Sequence, residues 1–316
     1  MGAHRLLGLV RDVVDFEATC AFYREFGLTQ TRPGVFASVV GGEQMELREA
    51  SWPGVARIDV GVDGQADLDE IVGRMNAIDV PVTRTDEWLE ARDPISGLLV
   101  RLMAAPRLPA EAPRERGEIR RDELVPQDRV RPLRLGHIVV GCKDVEAGKV
   151  FFLDGLGMRL SDYVNGGPFM RFETDHHNIV LRPSPFTLLH HTAWKVGSID
   201  EVGYGGSQMI ENHPYRHAWG LGRHAASANY FWYLRDPAGS FAEYYYSEMD
   251  ERAPDKYFWD RLPDAPTLPT AVWASPALVP GPLAQPPVPV ENPEEMPAPL
   301  LERLAGPHSK TEGATR

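Results

Sequence analysis

The 316-residue chain is poor in cysteine, holding only Cys20 and Cys142. Two thiols cannot build a disulfide framework or a Cys-rich zinc or iron–sulfur site, and their scarcity fits a reducing cytoplasm, the compartment expected for this chain. Long apolar runs are missing as well. None approaches the roughly 18–20 residues needed to cross a bilayer, and Met1-Gly2-Ala3-His4-Arg5 has neither the apolar core nor the small-residue cleavage site of a signal peptide. Positive charge is also in deficit, with 33 Lys+Arg against 45 Asp+Glu and a formal charge of −12. Nucleic acids and anionic membranes call for a dense Lys/Arg surface, so neither is expected as a partner. What is present, 43% hydrophobic and 25% charged residues, supplies core for one large or two medium soluble domains.

Histidine is almost absent from the first half, which has only His4, while eight of the ten fall between His137 and His224. Metal or acid–base chemistry is therefore expected in the second half. The composition divides the chain into four regions. Residues 1–105 read as a folded domain. Residues 106–131 are polar and charged, as in a linker or exposed excursion. Residues 132–250 return to folded composition. Residues 251–316 form a tail with a proline every few positions from Pro263 to Pro299. That density predicts neither helix nor sheet there, although Trp273 argues for some docking.

The two folded regions repeat one another. Leu7-Gly8-Leu9-Val10 before Asp12-Val13 parallels Leu135-Gly136-His137-Ile138 before Asp144-Val145. Phe22-Tyr23 before Phe26-Gly27-Leu28 parallels Phe151-Phe152 before Leu156-Gly157-Met158. The strand at Arg57–Val62 matches that at His191–Val196, and Asp93-Pro94 with Gly97 matches Asp236-Pro237 with Gly239. Four features in one order indicate internal duplication. The reading is an α+β fold of strand–helix–strands units, run twice in each half.

The comparison isolates candidate ligands. Where the second half has His137, His191 and Glu243, the first has Leu9, Arg57 and Arg101. Two neutral imidazoles and one carboxylate can occupy one face of an octahedral ion and leave the opposite face to substrate and O₂, the non-haem Fe(II) arrangement. Structural zinc would prefer four closed ligands including thiolates. Glu243 sits in the otherwise apolar Phe241-Ala242-Glu243-Tyr244-Tyr245, where an unpaired carboxylate would be costly, so a metal or cationic partner is expected. In the pairs His176-His177 and His190-His191, strand alternation sends one member to each face, and His177 and His191 are assigned to the site. His213 and His217 are read as structural or exposed, and Arg223 as a surface or pairing residue.

With these residues in place, the second half resembles the catalytic half of type I extradiol ring-cleaving dioxygenases of the vicinal oxygen chelate superfamily. The signatures are Leu135-Gly136-His137, His176-His177, His190-His191-Thr192-Ala193-Trp194-Lys195-Val196, Gly222-Arg223-His224, and Tyr233 running through Asp236-Pro237 and Gly239 to Glu243. The resemblance covers about residues 5–250. It implies tandem βαβββ modules of the glyoxalase-like fold, in two duplicated domains that each form a partly open β-barrel. His137, His191 and Glu243 would bind Fe(II), with Mn(II) as a substitute. His177 would be the acid/base for a substrate hydroxyl, His224 and Tyr233 would hydrogen-bond a substrate oxygen, and Val139 and Phe169 would line the pocket.

The activity so implied is cleavage of a catechol-type ring with O₂, of the 2,3-dihydroxybiphenyl-like kind, in aromatic-compound catabolism. Ser227 stands where biphenyl-type members often carry an acidic residue, which departs from that subtype. No arginine pair stands out for a substrate carboxylate, which favours an apolar or neutral aromatic diol. The first half is expected to bind no metal and to support the second, with a homo-oligomer expected. The rivals on the same fold are a glyoxalase-type metal-dependent isomerase or lyase and a non-catalytic ligand-binding protein. The set of His177, His224 and Tyr233 favours the dioxygenase.

Overall fold

The structure, a computed structural model, describes residues 2–108, 129–172, 174–247 and 270–275, with the backbone alone at 288–289. In the first half, β1 (Arg5–Val13), α1 (Phe16–Glu25), β2 (Thr29–Arg32), β3 (Val35–Ser38) and β4 (Gly42–Glu49) form one module. The next is β5 (Gly54–Val62), α2 (Gln65–Ala77), β6 (Val82–Arg84), β7 (Trp88–Arg92) and β8 (Leu99–Ala104). The second half repeats the order. Its third module is β9 (Arg134–Cys142), α3 (Val145–Val150), β10 (Arg159–Val164), β11 (Gly167–Arg171) and β12 (Ile179–Pro183). The fourth is β13 (Leu188–Lys195), α4 (Ile199–Glu211), β14 (His217–His224), β15 (Tyr230–Arg235) and β16 (Phe241–Tyr246).

Local chemistry starts and stops these elements in matching ways. Asp15 and Asp144 cap α1 and α3 by accepting from the backbone N–H of Ala18 and Ala147, each at 3.0 Å, and Ser198 caps α4 through Glu201 at 3.1 Å. The chain leaves the first helix of each half through a left-handed glycine, Gly27 at φ +96° and Gly157 at φ +74°, a conformation that L side chains adopt only under strain. The Asp-Pro turns use the same device at Gly97 and Gly239.

Each half is one mixed sheet. The first runs β2-β3-β4-β1-β5-β8-β7-β6 and the second β10-β11-β12-β9-β13-β16-β15-β14. β1 pairs in parallel with β4 and antiparallel with β5, as β9 does with β12 and β13. The architecture is thus α+β with tandem βαβββ modules. The main core includes Phe22, Tyr23 and Phe26 of the first half together with Phe151, Phe152 and Trp194 of the second.

The halves lock together through buried groups. Phe26 stacks on Tyr244 with centroids 3.9 Å apart, and the Tyr244 hydroxyl donates to the Phe26 carbonyl at 2.7 Å. Arg11 Nη1 and the Tyr23 hydroxyl both donate to Asp236 Oδ2, at 2.7 and 2.8 Å, with both charged side chains fully buried.

Two expectations are corrected. The register places Gly8, not Leu9, at the position equivalent to His137: Gly8 pairs with Asp59 as His137 pairs with Ala193, each just after a one-residue irregularity. Leu9 instead belongs to the buried core. The proline-rich tail also carries strand. β17 (Ala271–Ala274) adds to β14, and β18 (Val288–Pro289) pairs with β13. Proline density excludes a sheet interior but leaves proline-free stretches such as 270–275 able to pair at an edge. The Trp273 side chain is 46% exposed, so the backbone pairing of β17, more than burial of that ring, docks the segment. Residues 109–128 of the expected linker and most of the tail lie outside the described residues.

Candidate metal centre

Sheet register explains why three residues distant in sequence meet. On β13, Ala193 pairs with His137 of β9 on one side and with Glu243 of β16 on the other, and Tyr233 of β15 pairs with Glu243 in turn. The four form one row across the sheet. Ala193 has only a methyl to fill the row, so the longer side chains can converge over it. His191 lies two residues along β13 from Ala193, hence on the same face. Gly136 is demanded by the packing behind His137, since a Cβ there would lie 1.8 Å from the Tyr245 hydroxyl oxygen.

The ligand atoms of His137, His191 and Glu243 all lie within 4.8 Å of one another. Glu243 Oε2 stands 3.2 Å from His137 Nε2 and 3.3 Å from His191 Nε2, and the Glu243 side chain is wholly buried. Burial alone would raise the Glu243 carboxyl. The polar contact with His137, together with the nearby His191 and His224 rings, outweighs it and holds the group well below the usual carboxylate range. Burial pushes the His191 imidazole down to about 4, so it stays neutral near pH 7. His191 Nε2 is buried and aimed at Glu243, yet forms no aligned hydrogen bond among the described residues. A neutral imidazole nitrogen left without a donor beside a deprotonated carboxylate is the donor set that suits a divalent ion.

A cavity of about 240 Å³ opens on this cluster, small against the roughly 300–1,000 Å³ of typical small-molecule pockets. His177, His224, Tyr233, Val139 and Phe169 all line it, as does Ser227. The His177 ring lies 4.0 Å from His137 and 4.8 Å from Phe169, centroid to centroid. Burial, followed by repulsion from His137, lowers the His177 pKa well below the ordinary imidazole value. Burial and the Glu243 charge push the Tyr233 phenol up, so it remains a hydrogen-bond donor.

The orientation of His224 follows from its partners. Its Nδ1 lies 2.9 Å from the Thr270 carbonyl oxygen, which can only accept, so Nδ1 carries the proton. Nε2 of the neutral ring is then free to accept from the Tyr233 hydroxyl at 2.9 Å.

Of the two histidine pairs, His177, His190 and His191 line the cavity and His176 does not, so strand alternation fails for His190 alone. His176 and His190 are 1% and 3% exposed, so neither reaches the surface. His190 lines the cavity beside His191, because β13 skips one residue of register between Leu189 and His191 and the bulged residue escapes strict alternation. The two rings approach through their Nδ1 atoms at 2.7 Å, and those of His176 and His177 at 3.1 Å. His213 and His217 are partly exposed, and Arg223 donates from Nε to the Ala228 carbonyl at 3.1 Å.

Arg182, Asn229 and Thr270 belong to this region and were not singled out in the sequence. Arg182 lines the cavity, and Asn229 Nδ2 lies 3.4 Å from Glu243 Oε1. Thr270 sits in the proline-rich tail, and only strand pairing reveals its position. In the first half the equivalent face carries Arg57 bonded to Asp59 at 2.6 Å and Arg101 to Glu90 at 2.6 Å, cations where the second half has ligands.

Residues 134–244 match the family model described as the Glyoxalase/Bleomycin resistance protein/Dioxygenase superfamily. The chain is 40% identical over 133 residues to metapyrocatechase 2 of Cupriavidus necator, covering 41% of this chain and 40% of that protein. It thus spans less than half the length of that relative. It is 26% identical over 221 residues to biphenyl-2,3-diol 1,2-dioxygenase of Paraburkholderia xenovorans strain LB400, covering 65% of this chain and 71% of that one. The Mn(II)-bound glyoxalase from Novosphingobium aromaticivorans superposes with a TM-score of 0.70 at 22% identity, over 93% of this chain and 99% of that one, which establishes the shared fold. The resemblance carried by the motifs is thus found again in these sequence relatives, and the superposition shows the shared fold alone.

Proposed function

We propose that this chain, whose residues 134–244 match the superfamily of glyoxalases and dioxygenases, is an extradiol dioxygenase that opens a catechol-type ring with O₂. The observation that carries the reading is the convergence of His137, His191 and Glu243, the two histidines lining a cavity that is also lined by His177 and the His224–Tyr233 pair. The three ligands would hold Fe(II), with Mn(II) accepted by the same donors. When bound, the ion supplies the positive charge that acidifies the substrate hydroxyls and the electron chemistry needed with O₂.

The remaining steps belong to side chains. Glu243 and the two imidazoles fix the position at which a diol can dock. His177, neutral because it is buried, is the base that takes a hydroxyl proton and later returns it. Tyr233 stays protonated and orients His224 by donating to Nε2. The Thr270 carbonyl fixes the same ring from its other edge, so the pair leaves the Tyr233 oxygen in a set position to accept from a substrate hydroxyl. Val139 and Phe169 give the ring an apolar wall.

The glyoxalase-type alternative shares the fold, and the pairing of His224 with Tyr233 beside His177 gives the dioxygenase the stronger chemical case. The deciding experiment is anaerobic loading with Fe(II), then O₂ uptake on adding catechol or 3-methylcatechol. Stoichiometric O₂ consumption with a yellow ring-opened product is expected. No O₂ uptake, together with isomerisation of a glutathione hemithioacetal by the metal-loaded protein, would overturn the reading in favour of the alternative.

A further inference from the structure

The two oxygens of Glu243 have different surroundings. Oε2 stands 3.2 Å from His137 Nε2 and 3.3 Å from His191 Nε2, where the candidate ligands converge. Oε1 instead faces Asn229 Nδ2 at 3.4 Å. Asn229 closes the loop of residues 225–229 between β14 and β15 and is completely buried. A buried amide N–H and a buried carboxylate oxygen satisfy one another, whereas either left alone would carry a desolvation cost.

The amide is held from behind. Ser227, itself buried, donates its hydroxyl to Asn229 Oδ1. With that donor on the carbonyl end, the Nδ2 end is the one turned to Glu243, and a flipped amide would set oxygen against carboxylate. The backbone fixes the loop. The His224 N–H donates to the Asn229 carbonyl at 2.9 Å, and Arg223 Nε donates to that of Ala228 at 3.1 Å. Ala228 turns the chain at φ +57°, a left-handed conformation uncommon for a residue with a Cβ.

The first half shows what the same turn looks like without ligands. Glu90 pairs with Arg101 as Tyr233 pairs with Glu243, so Asp86, four residues before Glu90, corresponds to Asn229. Residues 85–87 there are all exposed. The module fold therefore does not require a buried polar pair at this turn. A carboxylate that has to be held in one orientation does.

We propose that Asn229 is a positioning residue of the metal centre: its amide holds Glu243 Oε1, so that Oε2 is the oxygen offered to the ion, and Ser227 sets the amide. This rests on the metal-centre reading and is independent of ring cleavage. Groups that orient a ligand from outside set metal affinity by about 10–100-fold, because a ligand fixed beforehand loses less freedom on binding.

The test uses Co(II), which takes the same nitrogen and oxygen donors and whose visible absorption reports the arrangement of its ligands. Calorimetry gives the affinity, the spectrum at saturation gives the arrangement, and thermal unfolding of the metal-free protein gives the folded fraction. Asn229→Leu keeps the volume and removes the donor. It should bind Co(II) about 10–100-fold more weakly and show an altered spectrum at saturation; if it does not fold, Asn229→Ala gives the same reading. Ser227→Ala should lose less, and adding it to Asn229→Leu should cost little more, because Ser227 acts through the amide. A protein merely loosened by the substitution would unfold at lower temperature yet show the unmodified spectrum once saturated. That result, or an unchanged affinity, overturns the proposal, and full additivity overturns the part given to Ser227. Glu243→Ala is the control. If it binds Co(II) as tightly as the unmodified protein, the metal-centre reading falls and the proposal with it. An affinity that depends on Glu243 but ignores Asn229→Leu removes the proposal alone.

Discussion

The clasp between the halves allows a quantitative test. Asp236 Oδ2 receives Arg11 Nη1 at 2.7 Å, the Tyr23 hydroxyl at 2.8 Å and the Ser240 hydroxyl at 2.8 Å, and Arg11 Nη2 reaches Ser240 Oγ at 3.0 Å. Both charged side chains are completely buried. Asp236→Asn removes the anion and leaves the Arg11 cation buried beside a neutral amide, which costs about 3–5 kcal/mol by the usual scale for halving a buried pair. In a chain this size that corresponds to a fall in melting temperature of roughly 6–20 °C. The double variant Arg11→Met/Asp236→Leu should lose much less than the sum of its parts, because the pair's desolvation cost disappears with it. Urea unfolding of the unmodified protein, Arg11→Met, Asp236→Leu and the double variant measures the coupling. Burial tends to raise the Asp236 carboxyl, but Arg11 and the hydroxyl donors hold it below its ordinary value. Its contribution is therefore present above the unfolded carboxyl pKa and lost as pH falls through the folded one. A loss under about 1 kcal/mol in Asp236→Asn, or strict additivity in the double variant, would show that the clasp is not what joins the halves.

Other expectations concern the site. Glu243→Ala should leave almost no iron after anaerobic loading, and a normal iron content by metal analysis would strike Glu243 from the ligand set. His177→Asn or His177→Phe should keep its iron while kcat falls by roughly 10²–10⁴, the usual contribution of a placed acid or base; near-normal turnover would reject that role. In the metal-free protein, His191 is held at about 4 rather than 6.5, so the unfolded chain takes up protons first as the medium acidifies. Stability should thus fall by roughly 3 kcal/mol between neutral pH and pH 4 from this group alone, and His191→Gln should flatten the profile measured by thermal unfolding. Ending the chain before Thr270 removes the acceptor that fixes His224 Nδ1. Such a protein should load iron yet turn over more slowly, and full activity would show that His224 is held by other means.

Most of the fold was legible in the sequence because duplication repeats local physics. The left-handed Gly27 and Gly157 and the Asp-Pro turns with Gly97 and Gly239 recur at matching places, each a signal carried by a few adjacent residues, whereas the cap equivalent to Asp144 is Asp15 and not the Asp12 that the motif comparison matched to it. The candidate ligands were legible too. His137, His191 and Glu243 stand out against Arg57 and Arg101 in the other copy, and a buried carboxylate in an apolar strand demands a partner. What the sequence could not decide was register. β1 and β9 skip equivalent residues, Leu7 and Gly136, so matching Gly8 to Gly136 by identity set Leu9 in place of Gly8 at the position of His137, while a skip in β13 turned His190 into the cavity beside His191. Alternation is a rule about unbroken ladders, and a bulge is set by the neighbouring strand rather than by the residue itself. The same holds for Thr270 and Arg182, whose proximity to His224 and His190 exists only once distant strands pair. Composition and motif thus determined the modules and the ligand types, while tertiary pairing decided which side chains surround them, because hydrogen bonding between strands fixes positions that no local propensity encodes.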